Sequence, residues 1–228
     1  SLIRRFTADG LASSVAAGSL SGFGALDGTG GAARFALPAG LAFGKGGTLY
    51  VADSLNHTLR TISAEGVTRT LGVPTQNCGR AEPGKVTQTS FCGLTTLALD
   101  GVENLYVPTG NRIMKVTPAG DVSLLVDLTA WVYGPGSAGY DRVQGIALDI
   151  AGNVYVAMET SGVIFKISPT GQPVVFAGRL HVRGHADGRG NAALFSALGN
   201  MTTDASGNFY VVDGQAYPSQ SIGPTVRK

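Results

Sequence analysis

Charged residues are scarce in this sequence. They make up 14% of its 228 residues, and 17 Lys and Arg against 15 Asp and Glu leave a net charge of +2. This balance lacks the basic surface that is typical of nucleic-acid binding, so we expect no nucleic-acid partner. No apolar run approaches the length of about 18 residues that a membrane helix needs, so we also expect no membrane insertion.

Motifs for common catalytic sites are missing as well. The sequence has no GxSxG nucleophile elbow, no P-loop, no HExxH zinc motif and no strand, glycine-rich loop and helix unit for a dinucleotide. We therefore expect no cofactor, and we favour a non-enzymatic role.

Cysteine is limited to two residues, Cys78 and Cys92, in a polar stretch that also contains glycine and proline. Their spacing suits a loop-closing disulfide worth about 3 kcal/mol. The alternative is two free thiols in a cytosolic loop, since neither a CxxC pair nor a third ligand indicates a metal. The disulfide interpretation predicts an extracytoplasmic protein, which is periplasmic, secreted or on the cell surface.

Glycine, in contrast, is abundant: the 34 glycines are spread along the chain without a collagen period, which indicates many tight turns. Between them, one pattern of a turn followed by a β-branched and aromatic run occurs four times. Such runs are typical of β-strands, and recurrence at this interval indicates a repeat array. The four runs are GGTLYVAD (46–53), VENLYVPT (102–109), AGNVYVAM (151–158) and SGNFYVVD (206–213).

Each of these strands has further strand-like runs before and after it, so a repeat holds four short strands. Four tightly turned strands per repeat predict an all-β fold, a β-propeller made of four-stranded blades. About four blades are visible, which is either a whole small ring or part of a larger one. We expect a single domain over 1–228, with blade parts at about 1–18, 40–72, 93–126, 144–178 and 199–228.

A connector also recurs: LDGTGGAARF (26–35) returns as ADGRGNAALF (186–195). Its Asp and Gly residues suit a turn, and Ala-Ala favours a short helical turn. We expect the connector to join the outer strand of one blade to the inner strand of the next, with its Phe packed between the blades.

Together, the segments DGTGGAARFALPAGLAF and LYVADSLNHTLRTISAEGVTRTLG resemble one full repeat of the NHL family of β-propellers, including the Asn56-His57 pair. The similarity extends over nearly the whole chain, although Pro108 and Thr109 replace the usual Ala-Asp in the second repeat. It implies a propeller of bacterial-type NHL repeats. The family's rings commonly have six blades.

Long, irregular loops are predicted on one face of the blades, where binding sites usually lie on rigid scaffolds. The stretch AWVYGPGSAGYDR (130–142) contains the only tryptophan of the chain. Aromatic residues and Arg are enriched at binding hot spots. Alternatively, Trp131 packs under its own loop. The candidate binding residues are Trp131, Tyr133, Tyr140, Arg142 and, on another loop, Tyr217.

Two histidines, His181 and His185, lie near Asp187 in one connector. The family resemblance adds a reason to consider a metal, because a peptide-amidating lyase with a related propeller uses metal-bound histidines. Its ligands come from several blades, however, and two histidines in one connector do not reproduce that arrangement. We treat these three residues as weak metal candidates, with solvent-exposed loop histidines as the alternative.

These observations lead to one functional hypothesis with two alternatives. The first is a non-catalytic binding or scaffolding module of an exported or cell-surface protein, which binds a protein or glycan through the long-loop face. The second is a metal-dependent lyase or hydrolase that uses the central cavity. The third is a structural assembly unit of a larger surface protein, which associates with itself or pairs with neighbouring domains.

Overall fold

The computed structural model describes residues 1–75, 79–136, 139, 141–214 and 225–228. Within these residues, short β-strands dominate, and the one α-helix, α1, spans Thr129–Tyr133. No helix in this part of the chain is long and apolar enough to cross a membrane. The strands are β1 Leu2–Phe6, β2 Ser13–Gly18, β3 Gly28–Thr29, β4 Pro38–Phe43, β5 Leu49–Asp53, β6 Thr58–Ile62, β7 Val67–Leu71, β8 Gly84–Lys85, β9 Ala98–Leu99, β10 Leu105–Thr109, β11 Arg112–Val116, β12 Asp121–Asp127, β13 Val143–Leu148, β14 Val154–Met158, β15 Val163–Ile167, β16 Pro173–Gly178, β17 Leu198–Thr203, β18 Phe209–Asp213 and β19 Thr225–Arg227.

The strands form one hairpin and four successive sheets. The hairpin pairs β1 with β2. The sheet orders are β3-β7-β6-β5-β4 in blade 1, β8-β12-β11-β10-β9 in blade 2, β13-β14-β15-β16 in blade 3 and β17-β18-β19 in blade 4. Four such blades confirm the predicted β-propeller class.

The chain divides into two compact units. Unit 1 comprises residues 1–105 and 116–123, and it contains the hairpin and blade 1. Unit 2 comprises residues 106–115 and 124–228, and it contains blades 3 and 4. Blade 2 contributes strands to both units. The single domain over residues 1–228 stays a prediction.

Both recurring connectors end in a buried phenylalanine. Phe35 packs in unit 1 with Ile3 and Ala17 of the hairpin and with Val51 and Ile62 of blade 1. In unit 2, Phe195 belongs to a cluster that joins residues of blades 3 and 4, including Tyr155, Ile164, Leu198 and Val211. The structure therefore places both phenylalanines where the sequence predicts them, between successive sheets.

The connector aspartates do more than form a turn. In blade 1, the fully buried Arg60 donates from Nη1 to Oδ2 of Asp53 and from Nη2 to Oδ1 of Asp27, both at 2.8 Å. The same guanidinium donates to two connector carbonyls and lies 4.9 Å above the Phe35 ring. Burial raises the pKa of the Asp53 carboxyl, so its charge is unfavourable unless a cation lies close to it.

Blade 4 repeats this arrangement. Arg227 donates from Nη1 to Oδ2 of Asp213 at 2.9 Å and from Nη2 to Oδ1 of Asp187 at 2.7 Å. It also donates to the Ala186 and Leu194 carbonyls and lies 4.6 Å above the Phe195 ring. We call the two sets the arginine–aspartate clusters of blades 1 and 4. Each fixes its connector to the blade that follows it.

Blades 2 and 3 have neither the arginine nor its buried aspartate at these positions. The residues that correspond to Asp53 and Arg60 are Thr109 and Met114 in blade 2, and Met158 and Phe165 in blade 3. All four side chains are buried. The aspartate and the arginine therefore occur together or not at all, as expected for a buried charge that needs its partner.

Replacing Arg60 alone should be far more damaging than replacing the buried pair. Arg60→Met leaves Asp53 buried without its cation, and we expect a loss of about 3–5 kcal/mol in the free energy of unfolding. The double variant Asp53→Thr/Arg60→Met copies blade 2 and should recover at least half of that loss. Urea unfolding of the three proteins measures this, and an equal loss in the single and double variants would contradict the account.

Candidate functional site

Trp131 lies on the short helix α1, which follows β12. Val132 N donates to Leu128 O at 2.9 Å, and both of these apolar residues are buried, so they anchor the helix. Trp131 points the other way, and 51% of its surface is exposed. The alternative in which Trp131 packs under its own loop is therefore not what the structure shows. A large aromatic side chain at this exposure is available to a partner.

Next to Trp131, Tyr133 and His181 hold two loops together. Their ring centroids lie 5.9 Å apart, and Nε2 of His181 is 2.9 Å from the Val132 carbonyl. A carbonyl only accepts hydrogen bonds, so Nε2 carries the proton. The backbone of His181 has a left-handed φ of 61° and its amide donates to Ser161 O. His181 thus joins the helix to two other loops.

The pKa of the Tyr133 hydroxyl is raised, first by burial and second by the negative charge of Asp141. The side chain therefore stays a neutral phenol through the physiological range, where it donates or accepts a hydrogen bond but is not a base.

Asp141 is the buried centre of this region. Its carboxylate accepts hydrogen bonds from the backbone amides of Arg142, Thr160 and Ser161, and from the Ser161 hydroxyl. Its own amide donates to Oδ1 of Asn111 at 3.1 Å. The carboxylate of Asp141 thereby ties the segment before β13 to the loop from β14 to β15, and its backbone amide adds the loop from β10 to β11.

Arg142 extends the surface beyond this buried carboxylate. Its Nε donates to Glu159 at 2.8 Å, and 44% of its side chain is exposed. Arg183 is also exposed and lies 3.4 Å from Thr160 O. We call the surface formed by residues 129–133, 141–142, 159–161 and 181–183 the Trp131 face. It combines an exposed indole with two arginines, and the buried Asp141 holds the backbone segments of this surface together.

The three weak metal candidates are not brought together. His181 binds the Val132 carbonyl, whereas His185 lies 3.8 Å from Asp213 and Asp187 accepts from Arg227. In the part of the chain that the structure describes, no group of three or more His, Cys, Asp or Glu residues is arranged to hold a metal ion.

Three predicted residues, Tyr140, Tyr217 and Cys78, lie outside the described residues. Cys92 is disulfide-bonded, and its pairing with Cys78 stays a prediction.

The family model described as NHL repeat matches residues 35–62, which is the end of the first connector with β4, β5 and β6 of blade 1. The chain is a β-propeller that contains an NHL repeat at residues 35–62. In this NHL-repeat propeller, Asn56 of the matched segment donates to Asp53 and to the Gly24 carbonyl, both at 2.7 Å. The matched repeat therefore contains two of the three charged residues of the blade 1 cluster. A comparison with curated protein sequences finds no significant match.

Several solved propeller structures are similar to the chain. Virginiamycin B lyase from Staphylococcus aureus aligns with a TM-score of 0.56 at 13% identity, over 100% of this chain and 62% of the lyase. A chain of the nidogen/laminin complex aligns with a TM-score of 0.52 at 16% identity, over 81% of this chain and 56% of that one.

The extracellular domain of a candidate one component system from B. thetaiotaomicron aligns with a TM-score of 0.50 at 13% identity, over 83% of this chain and 21% of that one. At these identities, the comparisons establish the fold alone. The NHL-repeat propeller spans about three fifths of the length of the lyase chain.

Removing the Asp141 carboxylate should loosen the Trp131 face. Asp141→Ala leaves several buried amides without an acceptor, so we expect a loss of about 2 kcal/mol in the free energy of unfolding. Hydrogen exchange at residues 141–142 and 160–161 should become faster. The control is Asp121→Ala, which removes an exposed ion pair with Lys85 and should cost less than about 1 kcal/mol. Equal effects of the two substitutions would show that Asp141 does not organise the face.

Proposed function

We propose that this NHL-repeat propeller is a non-catalytic binding module of an exported or cell-surface protein, and that it binds a protein partner through the Trp131 face. The observation that carries the proposal is the half-exposed Trp131 on a face whose loops are fixed by Asp141. A rigid backbone lowers the entropy cost of binding, because the loops are ordered before the partner arrives.

The chemistry of the face favours a protein over a glycan. Trp, Tyr and Arg are the residues most enriched among those that dominate protein interfaces, and the face presents Trp131, Tyr133, Arg142 and Arg183 together. The nidogen/laminin complex, a solved protein complex, contains a chain with a similar fold. A glycan that stacks on Trp131 is the alternative ligand, and the binding experiment below separates the two.

The location outside the cytoplasm is supported by Cys92, which is disulfide-bonded, because disulfides persist in oxidising compartments. A similar propeller fold occurs in the extracellular domain of a bacterial one component system.

The disulfide is testable on the intact protein. We expect Cys78 and Cys92 to be linked to each other, because they are the only two cysteines. Mass spectrometry under non-reducing, denaturing conditions should show a mass lower by two hydrogens than that of the reduced protein. Two thiols that react fully with an alkylating reagent before reduction would contradict export to an oxidising compartment.

No metal-binding site among the described residues supports the alternative of a metal-dependent lyase or hydrolase. The similarity to virginiamycin B lyase is at 13% identity, and His181, His185 and Asp187 each bind other groups.

The binding proposal is tested by photo-crosslinking from two positions. A benzophenone side chain at Trp131 should capture one defined protein from an extract of the source cells' envelope or medium. The control position is Ile150, which is fully exposed in the turn between β13 and β14. Equal capture from the two positions, or retention of glycans alone on a glycan array, would contradict a protein-binding role for the Trp131 face.

The captured partner then allows a direct measurement of affinity. Trp131→Ala should weaken binding by about thirtyfold, which corresponds to the 2 kcal/mol or more of a hot-spot tryptophan. The melting temperature should hardly change, because Trp131 is half exposed. Unchanged affinity would remove Trp131 from the interface.

A further inference from the structure

The exposed charge of the Trp131 face is positive, although its formal charges balance. The face contains two acids, Asp141 and Glu159, and two arginines, Arg142 and Arg183. Only 1% of Asp141 and 12% of the Glu159 side chain are exposed. Both arginines are exposed, so a partner that approaches this surface meets the guanidinium groups before it meets a carboxylate.

The two guanidinium groups contact neighbouring residues of one loop. Nε of Arg142 donates to Oε2 of Glu159 at 2.8 Å, and Nη2 of Arg183 lies 3.4 Å from the carbonyl oxygen of Thr160. The backbone amides of Arg142 and Thr160 also share one acceptor, Oδ1 of Asp141, at 2.7 and 3.0 Å. The loop from β14 to β15 therefore brings both positive charges to one small area of the face.

Arg183 has donors to offer to a further acceptor. Its contact with the Thr160 carbonyl is longer than the usual limit of about 3.2 Å for such a hydrogen bond. Among the residues that the structure describes, Arg183 has no other side-chain hydrogen bond and no ion pair. A guanidinium carries several N–H donors. Within the described part of the chain, most of those of Arg183 are therefore left for an acceptor that comes from outside.

The backbone fixes the position from which the Arg183 side chain extends. Arg183 follows His181, whose left-handed φ of 61° is unfavourable for a residue other than glycine. His181 is kept in this conformation by the bond from its amide to Ser161 O and by the contact of Nε2 with Val132 O, both at 2.9 Å. The backbone of Arg183 itself pairs with that of Phe195. An ordered backbone lowers the entropy cost of binding through this residue.

The apolar part of the face lies close to the arginines. Trp131 precedes Val132, whose carbonyl accepts from His181, and Arg183 is two residues further along the chain than His181. Two residues span at most about 7 Å. A short segment of a partner can therefore contact the indole of Trp131 and the guanidinium of Arg183 together.

We infer that the protein partner contacts the Trp131 face with an acidic segment. A carboxylate of that segment binds Arg183, Arg142 adds electrostatic attraction, and a neighbouring apolar side chain packs against Trp131. The planar guanidinium matches a carboxylate through two parallel hydrogen bonds. The inference rests on the proposed function, because it names the chemistry of the partner at the same face.

A nucleic acid fits the face less well than an acidic protein segment does. Its phosphates follow one another along the strand, and proteins bind them with an extended basic surface. The Trp131 face offers two arginines, and Arg142 already binds Glu159. One or two carboxylates beside an apolar side chain are the ligand that this number of cations can neutralise.

The test uses Trp131 as the reporter, because it is the only tryptophan of the chain. Random peptides without tryptophan are displayed on phage and selected on the full chain. The selected peptides should contain more Asp and Glu than the unselected library. On titration, they should shift the fluorescence emission of Trp131 to shorter wavelength, because the half-exposed indole loses contact with water.

Three variants then test the charge of the site with a selected peptide. Arg183→Gln should weaken binding about tenfold, since it removes a charge-assisted hydrogen bond. Glu159→Gln should strengthen binding about threefold, because it removes a negative charge and keeps an oxygen acceptor for Arg142. The control is Arg69→Gln, an exposed position on β7 of blade 1, which should leave the affinity unchanged.

Several outcomes would overturn the inference. Selected peptides that are not acidic but shift the Trp131 emission would do so and would leave a binding role for the face. Equal affinity of the Arg183→Gln variant and the original chain would have the same meaning. Failure to select any peptide that shifts the emission also overturns the acidic segment, whereas equal photo-crosslinking from Trp131 and Ile150 is the result that contradicts the proposed function.

Two further outcomes would identify a different occupant and overturn the inference in its favour. A larger emission shift with single-stranded DNA than with any selected peptide would make the ligand a nucleic acid. An emission shift that grows with the concentration of the chain alone would make a second copy the occupant.

Discussion

The interaction on which much of this structure depends is the buried contact between one arginine and two aspartates. Arg60 is completely buried, and such a charge is tolerated only where it is paired and hydrogen-bonded. In blade 1, Asp53, Asp27 and two connector carbonyls accept from Nη1 and Nη2 of Arg60, and the same set of bonds recurs in blade 4. Because the partners come from a strand and from a distant connector, the cluster fixes the path of the chain between sheets.

Much of the fold could be predicted from the sequence because its signals are local and repeated. The Tyr-Val strands, the glycine turns and the two connectors occur at regular intervals, and strand pairs such as β5 with β6 follow directly from them. The role of the connector aspartate could not be predicted, because Asp27 and Arg60 are far apart in the sequence and Asp-Gly already has a sufficient explanation as a turn. The absence of both charges from blades 2 and 3 was visible, but its meaning requires the register of the strands.

The Trp131 face could be predicted only in part from the sequence. The sequence predicts Trp131, Tyr133 and Arg142 as binding residues, because aromatic residues and Arg lie close together on a long loop. The face itself is held by Asp141, Ser161 and Asn111, which belong to three separate loops. Their convergence depends on three-dimensional loop paths, and long loops have no periodic pattern from which such paths follow. His181 is a weak metal candidate in the sequence, whereas in the structure its ring binds the Val132 carbonyl of the helix that carries Trp131.

The central claim, that the arginine–aspartate cluster holds its connector, is tested most directly by native-state hydrogen exchange of the two connectors. Leu194 N, bonded to Ala186 O within the blade 4 connector, should be protected to nearly the same extent as Arg34 N in blade 1. Fast exchange at Leu194 N together with slow exchange at Arg34 N would contradict the claim, because equal clusters would then not order their connectors equally.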